Sequence, residues 1–413
     1  MSDKVISLFN NRVALDAILS FLFLWLYTRM VIRVNRHWTV LPEFRAITPR
    51  DNSTSTDQPL TTISIIVPYR NEEETIIRCL TCLSKQKYPA GLFEIIAVDD
   101  HSTDASFRLV EAFSKSNASC VLRPLSHSSN EGKKAALNLG ISASASELIL
   151  TIDADCSMGE NMLSDLVAFY EKYHPKMIIG PVAMENDVPE WLPNETANDT
   201  ICETLKNPLH EFQDMEFSCI SAFSAVYCDR GKPFLCNGAN LAYQRAAFIE
   251  AAGFSGNLHL SSGDDTFLLK KFQNLFPGQI RFLKSSRAIV QTLPQKNVFD
   301  FLQQRVRWAS KSFADTNPVS RLVALRVAAI NILLLVNLIL SIFYGKFAAV
   351  FVSIFIVKSA VDYRLLTNVS GFFKKRFRFI QVLANALFYP LYSLIILFLS
   401  LRLKYEWKGR KTR

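Results

Sequence analysis

The sequence predicts an α/β fold with a mainly parallel, Rossmann-like sheet, flanked by transmembrane helices at the N- and C-terminal ends of the chain. Between residues 62 and 152, apolar runs of strand type alternate with helical patterns. Acidic pairs directly follow two of those runs, and long apolar stretches lie near both ends. The hydrophobic content of 49% and the positive mean hydropathy are high for a soluble chain, so they favour a membrane protein.

The first apolar stretch predicts a retained membrane anchor within residues 1–45. Residues 13–32 are long enough to cross a hydrocarbon core of about 30 Å. Arg33 and Arg36 follow directly and no small-residue cleavage site is present, which favours an anchor over a cleaved signal peptide. Residues 46–61 are polar and rich in Ser and Thr, and this composition predicts a linker.

Residues 62–296 predict the α/β domain. Its first elements, in chain order, are a strand at 63–67, a helix at 72–85, a strand at 93–98, a helix at 105–116, a short strand at 120–122, a helix at 133–142 and a strand at 148–152. Ligands of such a parallel sheet bind at the carboxyl ends of its strands. No G-x-G-x-x-G motif follows the first strand, so a dinucleotide-binding fold has little support. Residues 178–243 predict a less regular region suited to an acceptor cleft.

The C-terminal part predicts an interface helix followed by transmembrane segments. Residues 297–313, within a region at 297–320, have the pattern of an amphipathic helix lying along the membrane surface. Within residues 321–413, the apolar runs 322–343, 347–361 and 379–401 precede a basic tail. Pro390 predicts a kink or a pair of half-helices in the third run, which leaves the total number of spans at three or four. We expect these runs to lack the buried charges that transport requires, which disfavours a transporter.

The charge distribution predicts membrane lipids, and no nucleic acid, as a partner. Much of the net charge of +9 flanks the apolar segments, where anionic headgroups lie. Basic residues after the first span and before the second place the α/β domain on the cytoplasmic side, in a multi-pass protein of the plasma (inner) membrane. Cysteines in that compartment stay reduced, so the Cys79-x-x-Cys82 pair is predicted to be two buried thiols.

Two acidic pairs predict where a charged ligand binds. Asp153 and Asp155 follow the strand at 148–152, and their spacing of two points both carboxylates the same way. Carboxylate oxygens of this kind suit Mg²⁺ or Mn²⁺ shared with phosphate. Asp99 and Asp100 end the strand at 93–98, where a nucleobase or ribose could be bound; an Asx turn with Ser102 is the structural alternative, and both can hold together.

Other residues complete the candidate site. Tyr69 ends the first strand with a flat face for stacking, and Lys133 is placed to meet phosphate unless it is simply solvated. Asp264 and Asp265 precede a helix predicted at 266–272, where a carboxylate could take a proton from an acceptor hydroxyl or merely cap the helix.

A further motif lies on the predicted interface helix. Gln304, Arg307 and Trp308 fall within about one helical turn. They offer a donor amide, a guanidinium for a diphosphate and an aromatic platform for a sugar. The alternative for Trp308 is an aromatic anchor at the membrane interface.

Taken together, these motifs resemble the membrane-anchored inverting glycosyltransferases of family 2, which include cellulose, chitin, hyaluronan and poly-N-acetylglucosamine synthases and ceramide glucosyltransferase. The matching segments are residues 67–73 (VPYRNEE), 98–104 (VDDHSTD), Gly132-Lys133, Asp153-Ala154-Asp155, Asp264-Asp265 and Gln304-x-x-Arg307-Trp308. The resemblance covers about residues 62 to 310 and the membrane layout.

The resemblance implies a GT-A fold and a set of site residues. The nucleotide-sugar-binding positions would be Tyr69, Glu72, Asp99, Asp100, Lys133, Asp153, Gln304 and Arg307. Asp153 and Asp155 would hold the metal. Asp265 matches the catalytic base, with Asp264 beside it, and Cys236 and Trp308 match acceptor-binding positions. The chain has Gly263-Asp264-Asp265 where many members have Thr-Glu-Asp, so the carboxylate of Asp264 is carried on a shorter side chain.

The implied function is inverting transfer of a sugar from a UDP-sugar to a growing polysaccharide at the membrane, assisted by Mg²⁺ or Mn²⁺. One alternative is the addition of a single sugar to a lipid acceptor. A second is a scaffold that binds nucleotide sugars without turnover, although the chain retains every candidate catalytic carboxylate.

Overall fold

The computed structural model describes residues 3–46, 61–117, 120–127, 132–185, 208–256, 263–314, 317–402, 406–407 and 410–411. The chain divides into two compact units. The helical unit comprises residues 1–40, 297–406 and 413, and the α/β unit comprises residues 41–296 and 407–412. Most of the predicted linker at 46–61 lies outside the described residues.

The elements are numbered along the chain. The helices are α1 (Asp3–Val40), α2 (Ile76–Ser84), α3 (Ser106–Ser116), α4 (Lys133–Ala143), α5 (Met162–Tyr173), α6 (Pro208–Asp229), α7 (Arg245–Glu250), α8 (Asp264–Leu275), α9 (Val298–Ala314), α10 (Pro318–Phe343), α11 (Lys346–Ser370) and α12 (Phe379–Arg402). The strands are β1 (Ile63–Tyr69), β2 (Phe93–Asp99), β3 (Val121–Ser126), β4 (Leu148–Thr151), β5 (Cys156–Met158), β6 (Met177–Ile179), β7 (Val182–Met184), β8 (Leu241–Gln244), β9 (Ile280–Phe282), β10 (Val290–Thr292), β11 (Glu406–Trp407) and β12 (Arg410–Lys411).

The main sheet has seven described strands in the order β3-β2-β1-β4-β8-β6-β9. The first four of these are mutually parallel, whereas β8 runs antiparallel to both β4 and β6. A smaller sheet has the order β5-β10-β7. The predicted α/β fold with a mainly parallel sheet is confirmed. Its strand order reverses between β1 and β4, which is where ligands bind in open sheets of this kind.

The first two strands are longer than predicted. They were predicted to end at Val67 and Val98, and Pro68 has no N–H group to donate to a neighbouring strand. Parallel pairing nevertheless continues through Pro68, so that Tyr69 and Asp99 are register partners at the carboxyl ends of β1 and β2. Every residue of β1 is buried. The helix α4 packs so closely on this strand that a Cβ at Gly140 would lie 2.6 Å from Ile66, which explains the glycine.

Of two other predictions in the α/β unit, one was wrong and one is confirmed. The region at 178–243 was expected to be irregular, but its described part contains the 22-residue helix α6. Buried polar residues such as Gln213, Ser218 and Ser221 interrupt the apolar pattern of that helix, which hid it from the sequence. The thiols of Cys79 and Cys82 are free and buried, as predicted.

The segment that follows α1 belongs to the α/β unit and is bonded to it. The ammonium of Lys284 donates to the carbonyl of Leu41 at 2.7 Å, and the Phe44 amide donates to the Lys284 carbonyl at 2.7 Å. Arg287 donates to the carbonyl of Ala46 at 3.0 Å and also pairs with the buried carboxylate of Asp165. Side chains and main chain together fix residues 41–46 on the domain.

The helical unit contains three described helices that are long and apolar enough to cross a membrane, namely Val13–Val40, Pro318–Phe343 and Phe379–Leu401. The helix α11 does not meet this criterion because it carries charges, although it packs against α1, α10 and α12. Lys358 of α11 is only 4% exposed and its ammonium contacts the Asp362 carboxylate at 2.7 Å. The Tyr27 hydroxyl of α1 donates to the other carboxylate oxygen of Asp362 at 2.7 Å. The expectation that these segments lack buried charges was therefore wrong.

Pro390 does not divide the last long helix. The helix α12 runs from Phe379 to Arg402 with Pro390 inside it, so the predicted pair of half-helices was wrong. Because proline has no N–H group, the helix lacks the main-chain hydrogen bond from residue 390 to the carbonyl of Ala386. The helix continues through this single missing bond.

Candidate active site

The carboxyl ends of β1 and β2 bring Tyr69 and the first acidic pair together. The Tyr69 side chain is 3% exposed, and its hydroxyl has no hydrogen-bond partner among the described residues. Burial, together with the nearby negative charge of Asp99, raises the pKa of Tyr69, so the phenol stays protonated. A buried and unsatisfied hydroxyl is costly in a folded protein, and a ligand that accepts a hydrogen bond would relieve that cost.

The two acidic residues at the end of β2 have different contacts. The Asp99 carboxylate accepts from the Ser102 amide at 3.1 Å, so the Asx turn considered from the sequence is present. Asp100 is 3% exposed and accepts from the Gly132 amide at 2.8 Å. Because Gly132 directly precedes α4, Asp100 positions the start of the helix that carries Lys133.

The loops after β1 and β2 are bonded to each other in both directions. The Asn71 amide donates to the Ser102 hydroxyl at 3.0 Å, and the Asn71 side-chain oxygen accepts from the Thr103 amide at 2.8 Å. The Glu73 amide donates to the Asp104 carboxylate at 3.2 Å. These reciprocal bonds hold the two loops as one rigid edge next to Tyr69 and Asp99.

Glu72, which the family resemblance assigns to the nucleotide sugar, has a local structural role. Its carboxylate accepts from the Thr75 hydroxyl at 2.7 Å. Its carbonyl accepts from the amides of Thr75 and Ile76, which forms a turn and delays the start of α2 to Ile76. The helix predicted from residue 72 is therefore shorter at its N-terminus.

Lys133 lies between two of the predicted carboxylates. Its ammonium is 2.5 Å from an oxygen of Asp153 and 3.8 Å from an oxygen of Asp264. Burial alone would lower the pKa of Lys133, but the negative charges of Asp153 and Asp264 raise it above its ordinary value. The lysine is therefore charged at physiological pH and is part of the acidic cluster, so the simply solvated alternative does not describe it.

Gly238 packs against Lys133, Asp264 and Asp265. A Cβ at this position would lie 3.4 Å from an Asp264 oxygen, and 3.7 Å from both the Lys133 ammonium and the Asp265 Cβ. The Gly238 carbonyl accepts from the Thr151 hydroxyl at 2.8 Å, which ties it to the end of β4. Sequence reasoning assigned no role to Gly238 or Thr151, although both lie next to predicted site residues.

Asp264 and Asp265 form the first turn of α8. Gly263 precedes them with φ of +83°, a conformation that glycine adopts without strain. One Asp265 oxygen accepts from the Thr266 amide at 2.7 Å. The positive end of the helix dipole favours carboxylates here, so a capping contribution is present. Asp265 is half-buried beside Gly238, which is also compatible with its predicted role as a base.

Asp155 directly precedes β5 of the smaller sheet. The Thr292 hydroxyl lies 3.3 Å from one Asp155 oxygen, and a guanidinium nitrogen of Arg78 donates to the Asp155 carbonyl at 2.8 Å. Among the described residues, no three His, Cys, Asp or Glu side chains converge as a metal site. Asp153 and Asp155 supply hard oxygen donors, and Mg²⁺ commonly takes only one or two carboxylates together with phosphate oxygens and water. The pair fits such a cation shared with a diphosphate.

Cys236 lies in the α/β unit, and the α9 motif lies in the helical unit. Cys236 is half-buried and lies two residues before Gly238 in the chain. In the helical unit, Gln304, Arg307 and Trp308 are half-buried on α9. Arg305, which the sequence did not single out, is 3% exposed, lies 4.3 Å from the Trp308 ring centroid and donates to the Gln304 side-chain oxygen. Two members of the motif are thus held by their own neighbour.

The strand order and the acidic cluster at the carboxyl edge define a GT-A-like glycosyltransferase domain. A family model described as glycosyl transferase family group 2 matches residues 148–400, and one described as glycosyl transferase family 2 matches residues 64–231. The first match covers more than half of the chain. The protein belongs to glycosyl transferase family group 2.

The chain is similar in sequence to two known proteins and in fold to one solved structure. An N-acetylglucosaminyltransferase of Rhizobium meliloti is 26% identical over 280 residues, which are 63% of this chain and 57% of that protein. The poly(ribitol-phosphate) beta-N-acetylglucosaminyltransferase TarS of Staphylococcus aureus is 31% identical over 136 residues, 32% of this chain and 23% of TarS. The alignments thus span less than two thirds of these relatives.

The structure of the mannosyltransferase PcManGT from Pyrobaculum calidifontis was determined in complex with GDP-Man and Mn²⁺. It superposes on this chain with a TM-score of 0.56 at 16% identity, covering 92% of this chain and 99% of that one.

Proposed function

We propose that the protein is an inverting glycosyltransferase that moves a sugar from a UDP-sugar to a growing polysaccharide at the membrane. The observation that carries this proposal is the position of Lys133 between Asp153 and Asp264, with Gly238 and Asp265 adjoining them. One cation among several carboxylates, next to a glycine that leaves no side chain there, suits a negatively charged diphosphate on one side and an acceptor hydroxyl on the other.

The donor is bound at the rigid edge formed by β1 and β2. Asp99 and Asp100 would contact the nucleoside, and the unsatisfied Tyr69 hydroxyl would donate a hydrogen bond to it. The Lys133 ammonium neutralises the diphosphate. Asp153 and Asp155 would hold Mg²⁺ or Mn²⁺, which would supply positive charge to stabilise the leaving diphosphate.

Asp265 acts as the general base. Its carboxylate accepts the proton of the acceptor hydroxyl as the acceptor oxygen attacks the anomeric carbon from the face opposite the diphosphate. The bond from the anomeric carbon to the diphosphate oxygen breaks, and its electron pair leaves with UDP. An α-linked donor therefore gives a β-linked product. The assignment of Gln304, Arg307, Trp308 and Cys236 to donor and acceptor rests on the sequence motifs alone.

A lipid acceptor is the second candidate. Three described helices meet the criterion for a membrane span, which is few for a protein that encloses its own channel for a polysaccharide. Addition of a single sugar to a lipid needs no such channel. In either case, the basic residues that flank the apolar segments support a cytoplasmic catalytic unit attached to the plasma (inner) membrane.

The test is release of nucleoside diphosphate by the detergent-purified protein, supplied with phospholipid and a panel of UDP-sugars plus GDP-mannose, with and without Mn²⁺ or Mg²⁺. Metal-dependent release from a UDP-sugar, with a long carbohydrate product, is expected. A product of one sugar on lipid would replace the polysaccharide assignment with glycolipid synthesis. Binding of a donor without release under any condition would favour the non-catalytic scaffold.

Lys133 gives a specific expectation for the donor. Lys133→Met removes the ammonium that offsets Asp153 and Asp264, so KM for the UDP-sugar should rise about 10- to 100-fold, the usual worth of a charge-assisted hydrogen bond. Steady-state release assays measure this. The control Lys87→Met breaks the exposed Lys87–Glu160 ion pair and should leave KM unchanged. Equal KM values for Lys133→Met and the wild type would exclude Lys133 from donor binding.

A further inference from the structure

We propose that Arg78 is a positioning residue for the carboxylate of Asp155. This inference rests on the proposed function, in which Asp155 holds a divalent cation. Arg78 lies on α2 and has no place in the sequence motifs, yet its side chain is 5% exposed. It acts through the main chain of Asp155 and touches neither donor nor acceptor in the proposed reaction.

The guanidinium of Arg78 joins two groups of the α/β unit. One terminal nitrogen donates to the Asp155 carbonyl at 2.8 Å. The other terminal nitrogen is 2.5 Å from a carboxylate oxygen of Glu185, whose side chain is 1% exposed. Because the guanidinium is planar, the direction of the first hydrogen bond is set once Glu185 fixes the second.

Glu185 is itself held by the segment that follows Asp155. Its second carboxylate oxygen accepts from the Ser157 hydroxyl at 3.1 Å, and Ser157 lies on β5. The Glu185 amide donates to the carbonyl of Thr292 at 3.0 Å. Glu185 therefore connects Arg78 to β5, which directly follows Asp155, and to β10, which pairs with β5.

The Asp155 carboxylate is oriented from the same side. The Thr292 hydroxyl lies 3.3 Å from one of its oxygens, and Thr292 pairs in register with Cys156. The main chain of Asp155 is fixed by Arg78 and its side chain is oriented by Thr292. Outer groups that orient a metal ligand in this way commonly contribute 10- to 100-fold to metal affinity.

A purely stabilising role explains this arrangement less well. Hydrophobic residues of similar volume often replace a buried ion pair without loss of stability. The Nε atom of Arg78 is buried and has no hydrogen-bond partner within the described part of the chain. A residue selected only for stability would not leave a buried N–H group without a hydrogen bond. A guanidinium that must reach both Asp155 and Glu185 has little freedom to turn its Nε–H group towards a third partner.

The test compares two conservative variants, Arg78→Lys and Arg287→Lys. Arg287 is a matched control because it also joins a buried carboxylate, that of Asp165, to one main-chain carbonyl, that of Ala46. Mn²⁺ affinity is measured in the full-length protein by electron paramagnetic resonance in the presence of UDP, and thermal unfolding is measured in parallel. We expect Arg78→Lys to weaken Mn²⁺ binding about 10- to 100-fold. Arg287→Lys should lower Tm by a comparable amount but keep the wild-type Mn²⁺ affinity.

Further variants separate the possible failures. If Asp155→Asn loses Mn²⁺ binding while Arg78→Lys binds as the wild type, the positioning role is overturned and the proposed metal site stands. If Asp155→Asn also binds Mn²⁺ normally, the metal site of the proposed function fails and the positioning role fails with it. Should Arg78→Lys not fold, Ser157→Ala removes only the hydroxyl that steadies Glu185. That variant should weaken Mn²⁺ binding a few-fold with little change in Tm, and unchanged binding would overturn the proposal.

Discussion

Replacing Asp265 with asparagine is expected to lower kcat about 100- to 10,000-fold, the usual contribution of a general base, while the dissociation constant of the UDP-sugar changes little. Asparagine has nearly the same shape as aspartate and can still accept a hydrogen bond from the Thr266 amide, which Asp265 now does at 2.7 Å. It cannot accept the proton of the acceptor hydroxyl. Donor binding by calorimetry and turnover by UDP release give the two quantities separately.

The matched control is Glu211→Gln, which neutralises an exposed carboxylate in the first turn of α6. Glu211, like Asp265, lies in the first turn of its helix but has no proposed part in the reaction, so kcat should be unchanged. Near-normal turnover of Asp265→Asn would remove Asp265 as the base. A loss of donor binding in that variant would indicate a structural role at the start of α8 instead.

The second large effect is expected in the helical unit. Lys358→Leu leaves the half-buried Asp362 carboxylate without its ammonium partner, and removing one partner of a buried pair typically destabilises a protein by about 3–5 kcal/mol. The Tyr27 hydroxyl alone does not neutralise the remaining charge. Thermal unfolding in detergent should show a large loss of stability, or little folded protein.

The double variant Lys358→Leu/Asp362→Leu is expected to recover most of that loss, because neither charge then remains unpaired. Lys346→Leu, at the exposed start of the same helix, is the control for a Lys-to-Leu change and should behave as the wild type. If Lys358→Leu is as stable as the wild type, the pair does not hold α11 against α1. If the double variant is less stable than the single, the two residues do not act mainly as an ion pair.

Strand and helix patterns were sufficient to predict the core of the α/β unit. Runs such as residues 63–67 are short, apolar and β-branched, and they alternate with helical segments, so the parallel sheet followed from the sequence. The position of the acidic pairs followed too, because strand ends are marked by the change from apolar to acidic residues. Asp153 and Lys133 were both predicted as ligand-binding residues, and the structure brings them within 2.5 Å of each other.

The contacts missed from the sequence share a physical cause. Arg78 and Glu185 are 107 positions apart, and each is a charged residue of a type that is usually found at the protein surface. Lys358 lies in an otherwise apolar run, and its burial becomes explicable only through Asp362 and the Tyr27 hydroxyl from another helix. Local periodicity reports which side of an element is apolar. It does not show whether a charged residue on that side forms an ion pair in the folded protein.

The reciprocal hydrogen bonds between the loops after β1 and β2 have a thermodynamic consequence for ligand selection. Asn71, Ser102 and Thr103 are already fixed before any ligand arrives, so little conformational entropy is lost at this edge when a nucleoside binds. The nucleoside then contributes a nearly constant share of the affinity of every donor that carries it. Discrimination among sugars must arise elsewhere in the cleft, and unreactive donors with the right base should compete with the true substrate.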